Sequence, residues 1–247
     1  MRLLLSVALL AALPVVATSQ TRKFPPDSLV NTQVIPHDTP VNQVIGQMRN
    51  ITGDLGVRCP FCHVGQEGQP LDQFDFAKDK KQPKLRARQM MRMVAEINRR
   101  LDTLPGHTPA DPVVTCRTCH RAVSVPLPLQ TIVMTADSVS GLDSAMRAYR
   151  SLRERYYGRD AYDFGEPTLN IAAFRLARAG KHADGLALLD LNESFYPNSS
   201  GMSVFRGNIQ LMKGDTNAAA LAYREAIRRD STNGEARGRL RDIKRTP

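Results

Sequence analysis

The chain has 247 residues, of which 42% are hydrophobic and 23% are charged, a balance typical of a globular, core-forming protein. This composition excludes wholesale disorder, a collagen-like repeat and a membrane protein with many spans. Lysine and arginine number 34 against 24 aspartates and glutamates, which gives a formal net charge of +10. Such an excess suggests an acidic partner, but the sequence contains no nucleic-acid-binding motif.

The amino terminus has the pattern of a secretory signal peptide. Arg2 precedes an apolar stretch from Leu3 to about Val16, and small residues follow as far as Ser19. We therefore expect residues 1–19 to be a leader and the mature chain to be periplasmic or otherwise exported. An uncleaved leader would associate the protein with a membrane, although the stretch is marginal for the ~20 residues of a spanning helix.

All four cysteines belong to two C-x-x-C-H motifs. The first motif contains Cys59, Cys62 and His63, and the second contains Cys116, Cys119 and His120. This order predicts covalent attachment of two haem c groups. In each motif the two thiols would bond the vinyl groups of one porphyrin edge, and the adjoining histidine would be the proximal iron ligand.

Three other uses of paired cysteines fit the sequence less well. A zinc ribbon also uses two C-x-x-C pairs, but it does not require a histidine directly after both of them. A redox dithiol uses one such pair near a βαβ pattern, which this sequence lacks. Two disulfides would suit an exported protein, but they would close short, strained loops.

An amphipathic helix that carries methionine is predicted before each motif. The first follows Thr39-Pro40, and its apolar stripe is Val41, Val44, Ile45, Met48 and Ile51. The second runs from about Pro83 to Leu104, and its stripe is Met90, Met93, Val94, Ile97 and Leu101. Gly53 and Gly56 would turn the chain between the first helix and the first motif.

A six-coordinate haem needs a distal ligand, and spacing alone leaves its identity open. A methionine in a helical apolar stripe is more typical of core packing than of a metal ligand. The remaining histidines, His37, His107 and His182, are alternative ligands, although their positions favour solvent-exposed roles.

The residues around the motifs resemble a known family. Residues 92–101, which include Met93, and residues 116–127 are similar to a repeat unit of the cytochrome c subunit of photosynthetic reaction centres, and residues 55–63 also fit that family's motif. The resemblance covers roughly residues 41–129, and it implies that Met48 and Met93 are the distal ligands. Because that subunit carries four haems and this chain has motifs for two, the chain resembles one half of that architecture.

The amino-terminal half is poor in aromatic residues. Between residues 20 and 136 there is no Trp or Tyr, and the phenylalanines are Phe24, Phe61, Phe74 and Phe76. We expect two porphyrins to supply the missing apolar surface, so that this half folds poorly without haem. The basic segment over residues 78–88 predicts either a surface for an acidic redox partner or a solvated helix start that offsets the haem propionates.

The carboxy-terminal half has all six tyrosines and a repeating helical pattern. One helix is predicted over residues 142–157, and two helical pairs follow, over residues 170–179 with 183–195 and 202–213 with 218–229. Gly180 and Gly214 are 34 residues apart, which is the period of the tetratricopeptide repeats that this region resembles. Such repeats imply a docking surface, although a stabilising appendage or an oligomerisation element is an equal alternative.

The sequence thus predicts a mainly α protein with four parts: a signal peptide (1–19), a haem-organised dihaem cytochrome c domain (20–135), a helical linker (136–165) and two tetratricopeptide-like repeats (166–247). We expect an electron carrier rather than an enzyme, with redox proteins or membrane-bound complexes as partners and no nucleic acid. Homo-oligomerisation through the repeats is a further expectation. A dihaem peroxidase, and a repeat scaffold that carries haems for sensing, are the alternatives.

Overall fold

The computed structural model describes residues 23–245, so the predicted leader lies outside the described part of the chain. These residues form eleven α-helices, one 3₁₀ turn and an isolated β-bridge between Val64 and Asp75, with no strand among them. The predicted mainly α class is confirmed. No helix in this part of the chain is both long and apolar enough to cross a membrane. Backbone contacts divide the chain into two compact units, Met1–Ser124 (unit 1) and Val125–Pro247 (unit 2).

Unit 1 contains the two motifs and the two helices predicted before them. Its helices are α1 (Val41–Leu55), α2 (Cys59–Cys62), α3 (Gln82–Leu101) and α4 (Cys116–His120), with a 3₁₀ turn at Leu71–Gln73. Helix α1 starts after Pro40, and no side chain caps its amino terminus. It ends at Gly56, whose φ of 63° is the left-handed conformation that glycine adopts at helix ends, whereas Gly53 lies inside the helix.

The two halves of unit 1 support each other. Helix α1, which precedes the first motif, packs on α4 of the second motif, and α3, which precedes the second motif, packs on α2 of the first. The interior of the unit is small, since Val44, Phe74 and Val123 are its buried hydrophobic residues within residues 23–124. Several large apolar side chains are exposed instead: Val30, Phe61, Leu71, Met90, Met93, Leu104 and Val113.

Unit 2 is an array of helical hairpins. Its helices are α5 (Leu129–Ser140), α6 (Leu142–Tyr156), α7 (Glu166–Arg178), α8 (His182–Glu193), α9 (Ser200–Met212), α10 (Thr216–Arg229) and α11 (Gly234–Arg245). They pair as α5 with α6, α7 with α8 and α9 with α10, and α11 packs on α10. The main core contains the fully buried Val133, Tyr149, Leu169 and Leu188, and a smaller core surrounds Tyr223. The four repeat helices predicted from the sequence are all present within a few residues of their predicted bounds.

The predicted linker is part of the folded interior of unit 2. Residues 136–165 include most of the α5/α6 hairpin, and the buried Tyr149 on α6 belongs to the same core as Leu169 on α7. The division between the units therefore falls at Ser124 and Val125 rather than after residue 135. Helices α5 and α11 were not predicted. With α5 and α6 the array has three hairpins, the number that helical repeats usually need for stability.

Candidate functional site

The first motif forms one short helical turn that ends at its histidine. Arg58 is extended, Pro60 lies in the first turn of α2, and the backbone at His63 returns to an extended conformation. The imidazole Nδ1 of His63 lies 3.3 Å from the carbonyl oxygen of Phe76. Because a carbonyl oxygen only accepts, Nδ1 donates the proton, and Nε2 is the ring nitrogen with a free lone pair.

The environment of His63 favours the uncharged imidazole. Burial, and after it the positive charge of Lys84, lower its pKa to about 4. Three of the unit's four phenylalanines pack in this region: Phe76 meets the imidazole edge-on at 5.0 Å between ring centroids, and it lies 5.5 Å from both Phe24 and Phe74. A neutral imidazole with a free Nε2 is the form that binds a metal ion.

The second motif has the same arrangement at its histidine. A reciprocal capping box between Thr115 and Thr118 starts α4, and the imidazole Nδ1 of His120 lies 2.9 Å from the carbonyl oxygen of Val123. Directly after His120, Arg121 and Ala122 both have positive φ and turn the chain sharply. In both motifs, then, a main-chain carbonyl holds Nδ1 and leaves Nε2 available. Metal-ligating histidines are held in this way.

The state of the thiols separates the three alternative uses of the cysteines from haem attachment. All four are free, so no disulfide forms. Burial raises the pKa of Cys62 and of Cys116, whereas a redox dithiol needs a lowered thiol pKa. Within residues 23–245, no three or more His, Cys, Asp or Glu side chains converge to hold a metal ion. A haem iron takes four ligands from the porphyrin, so these residues fit covalent haem attachment without such a cluster.

Two contacts that the sequence did not predict hold the second motif in place. The side chain of Asn98 on α3 donates to the carbonyl of Val114 (2.9 Å) and accepts from its amide (2.8 Å), which clips the chain just before the motif. After the motif, the amide of Ala122 donates to the carbonyl of Asp54 at the end of α1 (2.8 Å). Asn98 lies within the stretch that resembles the reaction-centre subunit, and that resemblance is the one signal that pointed to it.

The methionines proposed as distal ligands lie on α1 and α3. Met48 is partly exposed, and Met93 is 47% exposed. Of the alternative histidines, His37 contacts Thr32 Oγ1 at 2.9 Å and His182 begins α8 of unit 2. His107 Nε2 lies 3.8 Å from Asp102. The assignment of Met48 and Met93 stays a prediction.

The basic segment over residues 78–88 is not uniformly solvated. Lys80 and Arg86 are exposed, but Lys84 and Arg88 are each only 9% exposed. Both pair with Asp79, at 2.9 Å from Lys84 and 2.7 Å from Arg88, and these contacts hold the pKa of Asp79 well below its usual range. The prediction of a solvated helix start therefore fails for these two side chains, because they bind main-chain carbonyls inside the unit.

A match to a known protein family supports the interpretation of the two motifs. Residues 37–151 match the family model of the photosynthetic reaction centre cytochrome C subunit. This range contains both motifs, Met48 and Met93, and it extends beyond the resemblance seen in the sequence into α6 of unit 2. The resemblance to that family is confirmed for this part of the chain, and it supports a cytochrome-type electron carrier and haem binding.

Comparisons with curated proteins and with solved structures do not identify a family. No curated protein matches the chain. Among solved structures, "First TPR of Spaghetti (RPAP3) bound to HSP90 peptide SRMEEVD" is 17% identical with a TM-score of 0.32, over 47% of this chain and 87% of that one. A score this low supports no argument, and the helical-hairpin character of unit 2 is instead seen directly in its paired helices.

Proposed function

We propose that the protein is an exported electron carrier that holds two covalently attached haem c groups and passes single electrons between redox proteins. The observation that supports this proposal is the repeated arrangement of two free thiols and an imidazole whose Nδ1 is fixed by a main-chain carbonyl, within a region that matches a cytochrome family. When bound, each haem supplies an iron that gains and loses one electron.

Different residues of unit 1 would hold the porphyrin and the iron of each haem. Cys59 and Cys62 would bond the first haem, and Cys116 and Cys119 the second. His63 and His120 would be the proximal ligands through Nε2, because Nδ1 is already engaged in each ring. Met48 and Met93 would be the distal ligands. With both axial positions filled, neither iron would keep an open site for substrate chemistry.

The exposed apolar side chains of unit 1 fit this proposal. The described part of this unit, residues 23–124, has three buried hydrophobic residues and thus little core of its own, and it exposes Phe61, Met90 and Met93. Porphyrin faces against these side chains would remove apolar surface from water, at about 25 cal/mol for each Å² buried. Exposed basic residues such as Lys80 and Arg86 would attract an acidic redox partner, and the helical hairpins of unit 2 would provide a docking surface.

The test is to express the chain in a host that exports and matures c-type cytochromes. We expect haem that stays bound after denaturation, at two haems per chain by the pyridine haemochrome assay. Replacing Cys59 and Cys62 by Ala, or Cys116 and Cys119 by Ala, should each leave one haem. A wild-type chain with no covalent haem would refute the proposal.

The distal ligands need a separate measurement. Both oxidised haems should be low-spin, and Met93→Ala should convert one of them to a high-spin or exchangeable state. Met91→Ala is the matched control on the same helix. If the wild-type protein already has a high-spin haem, or consumes hydrogen peroxide catalytically when reduced, the peroxidase alternative would replace the carrier.

A further inference from the structure

The carbonyl group that holds His63 is shared with a buried lysine. The oxygen of Phe76 lies 3.3 Å from His63 Nδ1, and it also accepts a hydrogen bond of 2.8 Å from Lys84 Nζ. The same ammonium group donates to the carbonyls of Ala77 (2.8 Å) and Lys78 (3.0 Å). Lys84 thus fixes the loop that presents the Phe76 carbonyl, and it places a positive charge directly behind the imidazole.

The charge behind His63 is only partly neutralised. Lys84 and Arg88 are the buried basic side chains within residues 23–245, and they share a single carboxylate, Asp79. Arg88 uses its second terminal nitrogen to bind the carbonyl of Asn31 at 2.9 Å. Lys81 adds a third cation nearby, since its ammonium group donates to the carbonyl of Pro60 inside the first motif. Asp75, which bridges Val64 beside the first motif, is paired with a further cation, Lys78, at 3.6 Å, so a net positive charge remains there.

At the second motif, no buried basic side chain within residues 23–245 binds the carbonyl that holds the imidazole. Its imidazole Nδ1 is closer to its carbonyl acceptor, 2.9 Å from Val123 against 3.3 Å in the first motif. Arg117 and Arg121 lie within and directly after this motif, but both are exposed, so that solvent screens their charge. The structure thus distinguishes the two sites, although their motifs are alike in sequence.

Both differences would raise the reduction potential of a haem at the first motif relative to one at the second. An ammonium ion that polarises the Phe76 carbonyl weakens its bond to the His63 imidazole, and a weaker hydrogen bond makes the imidazole a poorer electron donor. A nearby cation also disfavours the more positive, oxidised state by direct repulsion, and burial strengthens this effect. The closer carbonyl at the second motif, with no buried cation behind it, favours the oxidised state there.

We propose that Lys84 is a positioning residue that makes the haem of the first motif the higher-potential one of the pair. This inference rests on the proposed function, since it requires both haems to be present. In the singly reduced protein, the electron would then reside mainly on the first haem. The second haem would be reduced in a smaller fraction of the molecules.

The experiment is a spectroscopic redox titration of the full-length, haem-loaded protein. We expect two resolved potentials in the wild type. Lys84→Met should lower the upper potential by at least a tenfold change in the redox equilibrium constant, or about 59 mV for one electron, and should leave the lower one in place. Lys80→Met removes the same charge from an exposed neighbouring position and is the matched control.

A second variant protects the test against poor folding of the first. Asp79→Asn removes the counter-charge but keeps a side chain that accepts hydrogen bonds, so it should raise the upper potential. General damage to the unit would not produce shifts of opposite sign in the two variants. Removal of the second haem with Cys116→Ala and Cys119→Ala assigns the upper potential to the first motif.

The haem stoichiometry of each sample separates the two proposals. Fewer than two covalent haems in the wild type would overturn the proposed function. Two haems with a single shared potential, a Lys84→Met shift no larger than that of Lys80→Met, or a lowered potential in Asp79→Asn would overturn the role of Lys84 alone. So would assignment of the upper potential to the second motif.

Discussion

Gly56 should be the least replaceable glycine of unit 1, and Gly56→Ala is a direct test of how α1 is joined to the second motif. Gly56 ends α1 with a φ of 63°, and a Cβ atom at this position would stand 2.0 Å from the carbonyl oxygen of Ala122. The Ala122 carbonyl carbon would lie at 2.8 Å, and because both of these atoms belong to the backbone, no rotation of a side chain can relieve the overlap.

The cost can be estimated from the contacts that would change. A non-glycine residue in the left-handed region costs about 1–2 kcal/mol. Separating the two segments would also break the hydrogen bond of 2.8 Å from the Ala122 amide to the Asp54 carbonyl, at a net cost of about 0.5–1.5 kcal/mol. The two contributions add up to about 1.5–3.5 kcal/mol. At about 4–8 °C for each kcal/mol in a domain of this size, the melting temperature should fall by at least ~6 °C.

The assay is thermal unfolding of the haem-loaded protein, followed by circular dichroism in the Soret region, which reports on the haem-bearing unit. Gly53→Ala, in the interior of the same helix, is the matched control, because nothing lies within 4 Å of its added Cβ. Alanine should stabilise the helix at that position by about 0.5–1 kcal/mol. If the two variants melt within about 2 °C of each other, the contact between α1 and the second motif does not have the importance we assign to it.

Three further predictions concern unit 2. Residues 125–247 alone should unfold cooperatively in urea, and residues 166–247 should have a lower midpoint because they lack the α5/α6 part of the core; equal midpoints would contradict the three-hairpin description. Asn192→Leu should lower the free energy of unfolding by about 1–3 kcal/mol, measured in urea, because it leaves the Glu166 carbonyl and the Asn170 side-chain oxygen without their donor. Burial raises the pKa of Tyr223 from 10.0 to about 12, so the unfolded chain releases this proton first as the pH rises. The stability of the wild type should therefore fall between pH 10 and pH 12 by up to about 1.4 kcal/mol per pH unit, and Tyr223→Phe should show a shallower fall in urea melts across this range.

Individual helices and hairpins could be predicted from the sequence, because they depend on residues that are close together in the chain. The apolar stripe with Met48 predicted α1, and the spacing of Gly180 and Gly214 predicted the α7/α8 and α9/α10 hairpins at nearly the bounds observed. Helix α5 was missed. It begins after Pro128, and its stripe is interrupted by Asp137, a buried carboxylate that pairs with Lys181 at 2.6 Å. Because the ion-pair partner, Lys181, lies 44 residues away, the sequence around Asp137 gives no reason to expect a buried charge there. The apolar periodicity therefore looks broken, and the helix is not predicted.

The candidate site, like the fold, could be predicted from the sequence only in part. The C-x-x-C-H spacing identified the thiols and histidines, since the chemistry itself demands that order. Nothing in the run of lysines and arginines over residues 78–88 distinguishes the exposed Lys80 from the buried Lys84. That difference arises because the chain after Phe76 turns its carbonyls toward α3, and this is a property of the tertiary structure. The carbonyl partners of His63 and His120 were inaccessible to sequence reasoning for the same reason.

The reciprocal packing of α1 on α4 and of α3 on α2 limits how such a chain can be divided in evolution. A gene fragment that encodes one helix and the motif after it would lack the support that the other half provides to that motif. The smallest segment that can be copied, fused or shuffled with its function intact would then encode both motifs together. Larger cytochromes assembled from this kind of unit would be expected to gain haems in pairs.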